Sequence, residues 1–377
     1  MNEVLTVPEI SGESSRDLNQ EAQWDAFVLS HAEPHLEQLS CWAQVRALTG
    51  WTSETLVIKD GSRIVAGAQI LEKRLKGFLR FGYLSRGPLL ALGVDPSRVV
   101  RELASFARER RYQFLAISLP YLGRDLIPHL EANGFRRRPI EMPPSVWVRS
   151  TLIFDLEKSA DQLLMDMSST TRKHIRRGIR AGVTVRQGTE DDLRRFCELV
   201  SALCERRNVS SNMPSEEGVR KMWSLLAPAG RVKLFVAEYQ GEPICMMMVL
   251  TMGKWARTWR IGWAGDEQKV YSSKVLYWEV LQWAKANGYT FLDIVGIDER
   301  DATELLNGRS PQSPFHCSVT QFKVDLGGQI TLLPGEWCYF PNPILRWTFN
   351  HGGSALLTHP FFKKLADRAH RMAVPTA

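Results

Sequence analysis

A chain of 377 residues, 44% hydrophobic and 24% charged, is long enough for two domains of ordinary size. No apolar run approaches the roughly 20 residues that cross a bilayer, and the first thirty residues are not signal-like, so a cytoplasmic protein is expected. The net charge of +7 permits an anionic partner without requiring one. Six scattered cysteines without Cys-x-x-Cys or histidine spacing argue against a zinc site or a disulfide framework.

Residues 1–18 combine Pro, Gly, Ser and Glu without periodicity and read as a flexible leader. A helical pattern follows from Asn19, with Trp24, Phe27 and Val28 on one side. After Pro34 a second pattern places Leu39, Trp42 and Val45 at helical spacing, with Arg46 just past them. The period then changes. Residues 54–59 and 63–70 flank Asp60-Gly61 and read as a hairpin, and residues 80–84 form a third strand leading into Arg86-Gly87-Pro88. A helix over 96–110, with Val99, Leu103, Phe106 and Ala107 on its apolar face, precedes a strand over 114–119 that ends at Pro120.

A helical insert occupies 159–225. Its first helix, over 159–181, carries Arg172, Lys173, Arg176, Arg177 and Arg180 at i, i+1, i+4, i+5 and i+8, along one face. That face is either solvated surface or a phosphate-tracking stripe whose binding would depend steeply on salt. Thr189 and Asp192 resemble a capping box for the next helix.

The earlier order of elements returns after residue 230: strand 232–239, turn Gln240-Gly241, strands 244–252 and 255–263, a helix over 271–287, and a short apolar run over 291–298 that reads as a buried parallel strand. From turn glycine to last strand the spacing is 53 residues in the first half (Gly61 to Phe114) and 50 in the second (Gly241 to Phe291). This match implies a duplicated unit. A hairpin meander followed by a helix and a parallel strand is the order of the Gcn5-related N-acyltransferase fold. The expected class is therefore α/β (α+β), as two tandem domains over 19–155 and 156–340, each a mixed sheet flanked by helices. Residues 341–377 form a basic helical tail, with 361–371 amphipathic.

No Gly-x-Ser-x-Gly elbow, phosphate-loop Gly-x-x-x-x-Gly-Lys or His-Glu-x-x-His motif is present. Of the histidines, His174 and His316 are the ones near other candidate residues. Between Gly265 and Lys274, where a CoA diphosphate would need a nest of backbone donors, stand two acids and no second glycine. Lys323, between Phe322 and Val324 in an expected strand, is the stronger lead. It is either an exposed strand lysine paired with Asp325 or a fixed cation for the oxyanion that develops on an attacked carbonyl.

These residues carry a resemblance to the Fem family of aminoacyl-tRNA-dependent transferases, which build peptidoglycan cross-bridges on two Gcn5-like domains. It spans residues 20–340 and rests on 38–46 with Trp42 and Arg46, on Arg86-Gly87-Pro88, and on 172–185 ending in Gly182-Val183-Thr184-Val185. Further support comes from 283–297 with Gly296-Ile297, and from Gln321-Phe322-Lys323 with Gly327-Gly328.

The resemblance implies direct transfer of an amino acid from aminoacyl-tRNA to an amine of a lipid-linked or nucleotide-linked peptidoglycan precursor, or of another peptide. No cofactor or metal is implied. The basic amphipathic segment 361–371 either packs on the domain surface or makes a peripheral contact with the inner face of the membrane. Phe322 and Lys323 hold the family's Phe-Lys position at the aminoacyl ester. Arg46 falls where members using nucleotide-linked precursors carry a phosphate-contacting lysine. Further substrate-binding candidates are Trp42, Arg260, Trp263, Tyr271, Lys274 and Asp298, and Arg172, Lys173, Arg176, Arg177 and Arg180 are candidates for contact with tRNA.

The chain also departs from the family. Leu119 stands before Pro120 where some members carry an aspartate. The diphosphate-binding arginine aligns near Met213-Pro214, and the span 191–230 is too short for a coiled-coil arm. An acceptor ε-amine near pKa 10.4 must attack in its neutral form, roughly 4 kcal/mol uphill at pH 7.4. Either a base or desolvation supplies the difference, and Asp293 and Asp298 are either that base or structural carboxylates. Two other readings remain: an acyl-CoA-dependent N-acyltransferase acting on a polysaccharide or small amine, and an inactive duplicated domain that binds RNA or serves as a scaffold.

Overall fold

The computed structural model describes residues 18–75, 79–138, 148–209, 211, 213–265, 270–311 and 318–353. The chain divides into two compact units, residues 1–145 with 334–373 and residues 146–333 with 374–377.

In the first unit, β1 (Thr52–Asp60) and β2 (Arg63–Leu75) form the expected hairpin, in register from Asp60↔Arg63 to Thr52↔Glu72. β3 (Leu79–Ser85) and the short β4 (Leu89–Leu90) each pair antiparallel with β2. β5 (Tyr112–Ser118) runs parallel to β3 along its length, ending at Ser85↔Ser118. The strand Glu336–Tyr339, from far down the chain, completes the sheet between β5 and β6 (Arg136–Arg137).

The crossover between β3 and β5 holds the helix Pro96–Glu109. Asp95 caps it by accepting from the N–H groups of Ser97 and Arg98, and Pro96 fills the first position, where no N–H is needed. Its Val99, Val100, Leu103, Ala104 and Ala107 are buried, together with Ile70, Leu84, Leu115 and Ile117 of the sheet. Each of these Val, Leu and Ile side chains contributes about 1.5–3 kcal/mol of burial. The helix Leu18–Ser30 brings Trp24 to β2, where Gly67 is required because a Cβ there would lie 2.6 Å from the indole ring.

The second sheet has the order β13-β7-β12-β11-β10-β9-β8, with β7 (Ser150–Asp155), β8 (Thr184–Gln187), β9 (Val232–Tyr239), β10 (Glu242–Met252), β11 (Trp255–Trp263), β12 (Phe291–Asp293) and β13 (Gln329–Leu332). Within it, β9, β10, β11 and β12 repeat the pattern of β1, β2, β3 and β5: two antiparallel pairings and then a parallel one. β10 is buried from Ile244 to Met252, which explains its unbroken apolar run. The helix Ser272–Ala286 buries Val275, Leu276, Val280 and Leu281 in the same core.

Several expectations are corrected. β7, placed on sequence in the first domain, pairs with β12 and β13 of the second sheet. The strand Glu336–Tyr339, placed in the second domain, belongs to the first sheet. The helix expected over 159–181 is two helices, Ala160–Met165 and Ser169–Arg180, each started by its own serine cap, Ser159 and Ser168. The strand expected over 291–298 ends at Asp293, because Val295 and Gly296 take left-handed φ values of 37° and 78°. Lys323 lies on the helix Val319–Val324, not on a strand, and that helix is capped by Ser318. His316 and the amphipathic tail at 361–371 fall outside the described residues.

Candidate active site

Most of the candidate residues lie in the second unit, whose parallel strands β11 and β12 part beyond a short pairing. β12 pairs with β11 over three residues, ending at Arg257↔Asp293, while β11 runs on to Trp263. Across from it, the β10 pairing shifts register between Met248↔Arg260 and Val249↔Thr258, so Trp259 is a bulged extra residue. Arg260 follows the bulge, its guanidinium 5.3 Å from the Trp259 ring centroid and held below its ordinary pKa by burial. Trp263, at the strand end, carries Arg206 over its ring at 5.3 Å.

Past Asp293 the backbone turns. The buried Asp293 carboxylate accepts from the Val295 N–H (2.8 Å) and from the Thr151 hydroxyl. The Val295 and Gly296 carbonyls are thereby presented to Lys323, whose Nζ donates to both, at 2.8 Å for Gly296. Gly296 takes a left-handed φ of 78°, which disfavours a side chain at this turn. Burial pushes the Lys323 ammonium down to about 8, with Asp293 opposing the shift and Arg207 adding to it. An ammonium has three donors, and these two contacts use two of them.

Phe322 packs against the core, its ring centroid 5.8 Å from that of Tyr277, and Lys274 Nζ stands 5.8 Å from the same centroid. Lys274 also donates to Thr171 Oγ1 (2.9 Å), and burial lowers its pKa. Tyr271, left-handed at φ 55°, precedes the helix Ser272–Ala286 without supplying a side-chain cap. Its ring stacks on His174 at 3.8 Å and lies under Arg177 at 5.6 Å. The His174 Nδ1 is buried without a hydrogen-bond partner, and its pKa is lowered by burial and by Lys274 and Arg177. The helix Ser169–Arg180 reaches this position because Gly178 lets it close on Val270 and Val275.

Contacts thus join Phe322 to Lys274 and Thr171, and Tyr271 to His174 and Arg177, whereas Lys323, next to Phe322 in the chain, is held by the Val295 and Gly296 carbonyls. Thr171 was not anticipated, because a threonine inside a basic helix gives no signal of its own. Asp298 is not part of this group: it is exposed and caps the helix Glu299–Leu306, accepting from the N–H groups of Arg300 and Asp301. Among the basic residues, Lys173, Arg176, Arg177 and Arg180 are exposed. Arg172 is partly buried and tied to the Met165 and Met167 carbonyls.

In the first unit, Trp42 and Arg46 lie on the helix Ser40–Ala47. The Arg46 guanidinium stands 5.3 Å from the Trp51 ring, and burial lowers its pKa while Tyr83 opposes the shift.

A model described as "Acetyltransferase (GNAT) domain" matches residues 167–301, and one described as "FemAB family" matches residues 19–127. The crystal structure of FemX superposes with a TM-score of 0.73 at 19% identity, covering 87% of this chain and 97% of that one. A tandem GNAT protein from the clavulanic acid biosynthesis pathway superposes at 0.51 with 12% identity, covering 87% and 97%. The fold is accordingly of the tandem GNAT class. The Lipid II:glycine glycyltransferase of Staphylococcus saprophyticus is 26% identical over 233 residues, 58% of this chain and 55% of that protein, so the chain spans about half the length of the curated relative it matches. The chain is thus similar to the FemAB family over residues 19–127 and to a lipid II:glycine glycyltransferase over part of its length, and it shares the fold of FemX.

Proposed function

We propose that the protein is an aminoacyltransferase that moves an amino acid from an aminoacyl-tRNA to an amine of a peptidoglycan precursor, by direct attack and without an acyl-enzyme. The observation that carries the reading is the Lys323 ammonium, fixed on the Val295 and Gly296 carbonyls beside Phe322, with a donor to spare for the ester oxygen. Its electrostatic stabilisation is of the kind whose removal costs about 3 kcal/mol, a hundredfold or more in rate. The similarity to a glycyltransferase named for lipid II supports the acceptor class. The exposed Lys173, Arg176, Arg177 and Arg180 support a phosphate-bearing donor. Asp298 is spent on a helix cap and Asp293 on Thr151 and Val295, so desolvation and placement, rather than either carboxylate, are assigned the task of presenting a neutral amine.

The test is incubation with labelled aminoacyl-tRNAs and a panel of wall precursors. Amide formation that falls at least a hundredfold in Lys323→Ala supports the proposal, and equal transfer by the variant refutes the role of the lysine. A covalent aminoacyl adduct trapped on any Cys or Ser refutes direct attack. The GNAT-domain match favours one second reading, an acyl-CoA-dependent N-acyltransferase. A thermal shift with CoA, absent with aminoacyl-tRNA, would select it.

A further inference from the structure

Three described arginines are buried: Arg86, Arg138 and Arg149. Arg138 pairs with Glu336 at 2.8 Å and Arg149 with Glu299 at 3.6 Å. Arg86, 7% exposed, differs: its Nη1 is buried with no hydrogen-bond partner, and its guanidinium meets the face of Tyr121 at 4.2 Å from the ring centroid. A buried cation without an anion is unfavourable, so its retention calls for an explanation.

The position of Arg86 is built rather than accidental. It directly follows β3, and Tyr121 lies three residues past β5, so both stand at the carboxyl ends of the parallel pair, where open α/β sheets receive ligands. Arg86 holds a left-handed φ of 56°, which is strained for a residue with a Cβ. The loop is pinned on both sides: Gly87 N–H donates to the Ser118 carbonyl (3.2 Å), and Gln38 Nε2 donates to the Ser85 carbonyl (2.6 Å). Tyr121 is equally fixed, its N–H donating to Glu33 Oε1 at 2.6 Å and its ring centroid 5.6 Å from that of His35. Glu33 also accepts from the Leu122 N–H at 2.9 Å and meets His35 Nε2 at 2.7 Å, so its carboxylate is already committed.

We propose that Arg86 and the Tyr121 face form a subsite for an oxyanion, a carboxylate or phosphoryl group carried by the acyl acceptor. A guanidinium stacked on one face keeps its planar fork for two parallel hydrogen bonds, the geometry that both groups satisfy. The ligand's source rests on the acceptor reading above. Binding is measured without any acyl donor, so the subsite and the transfer reaction fail separately.

The full chain is titrated calorimetrically in chloride buffer with inorganic pyrophosphate in one arm and an N-acetylated dipeptide bearing a free carboxylate in the other. One arm is expected to bind: the first identifies a phosphoryl source and the second a carboxylate. Arg86→Lys is expected to weaken that binding about tenfold or more, and Arg86→Met to abolish it. Without either anion, Arg86→Met should melt no lower than the parent, because it removes an unpaired charge. The proposal is overturned if neither probe binds the parent, if Arg86→Lys binds as tightly, or if Arg86→Met melts well below the parent in anion-free buffer.

Discussion

The Lys323 ammonium should titrate near 8 in the folded protein, and this has a measurable consequence. The difference between 10.5 and about 8 corresponds to about 3 kcal/mol by which the fold disfavours the charged form. Because the folded value lies below the unfolded one, that cost is present in full below about pH 8 and is relieved as the pH rises from there toward 10.5. The unfolding free energy of the parent, relative to Lys323→Met, should therefore climb by up to about 3 kcal/mol over that window. The same titration predicts that the cation is about nine-tenths populated at pH 7 and about one-tenth at pH 9. If the charge serves the reaction, transfer divided by the neutral fraction of the acceptor amine, which itself rises over this range, should fall about tenfold between those values, after correction for spontaneous ester hydrolysis. Lys323→Arg, which stays cationic, should lose that fall. Nuclear magnetic resonance of isotope-labelled lysine side chains, with the signal assigned through Lys323→Arg, reads the midpoint directly. A midpoint near 10.5, or a stability difference flat from pH 8 to 10.5, would refute the reasoning.

Further outcomes follow from other contacts. Gly178→Ala gains about 1 kcal/mol of helix propensity but places a Cβ 2.4 Å from the Val270 carbonyl oxygen and 2.6 Å from Val275 Cγ2. It should lower stability in denaturant by about 1–3 kcal/mol, and a more stable variant would contradict the packing. Asp298→Ala removes the acceptor for two N–H groups and should cost about 1 kcal/mol with transfer kinetics unchanged. A loss of transfer at unchanged stability would restore a chemical role to that carboxylate. Replacing Lys173, Arg176 and Arg180 together by Gln should leave the melting temperature within a degree or so, since all three are exposed. It should also flatten the salt dependence of tRNA binding by about 2 in log–log slope; an unchanged slope would assign that face to solvent alone.

The regular parts of both units were legible in the sequence because they depend on short-range periodicity. The hairpin across Asp60-Gly61, the apolar face of the helix Pro96–Glu109 and the buried run of β10 each announce themselves within a dozen residues. The near-equal spacing of Gly61 to Phe114 and Gly241 to Phe291 even exposed the repeat of the meander. Lys323 stood out by its place between Phe322 and Val324 and took the family's Phe-Lys position by resemblance, whereas the contact of Phe322 with Lys274 left no signal in the sequence.

Tertiary structure alone decided the rest. A strand of four residues such as Glu336–Tyr339 has too little pattern to declare its sheet, and its place beside β5 comes from long-range pairing. The early end of β12 is set by the left-handed Val295 and Gly296, held by Asp293, and an apolar run of that composition reads as continuous strand. The isolation of Arg86 is likewise invisible in one dimension, since whether a buried charge has a partner depends on which carboxylates the fold brings near. Local sequence specifies what each segment prefers to be, whereas hydrogen bonds and charges between distant segments specify where it stops and what it faces.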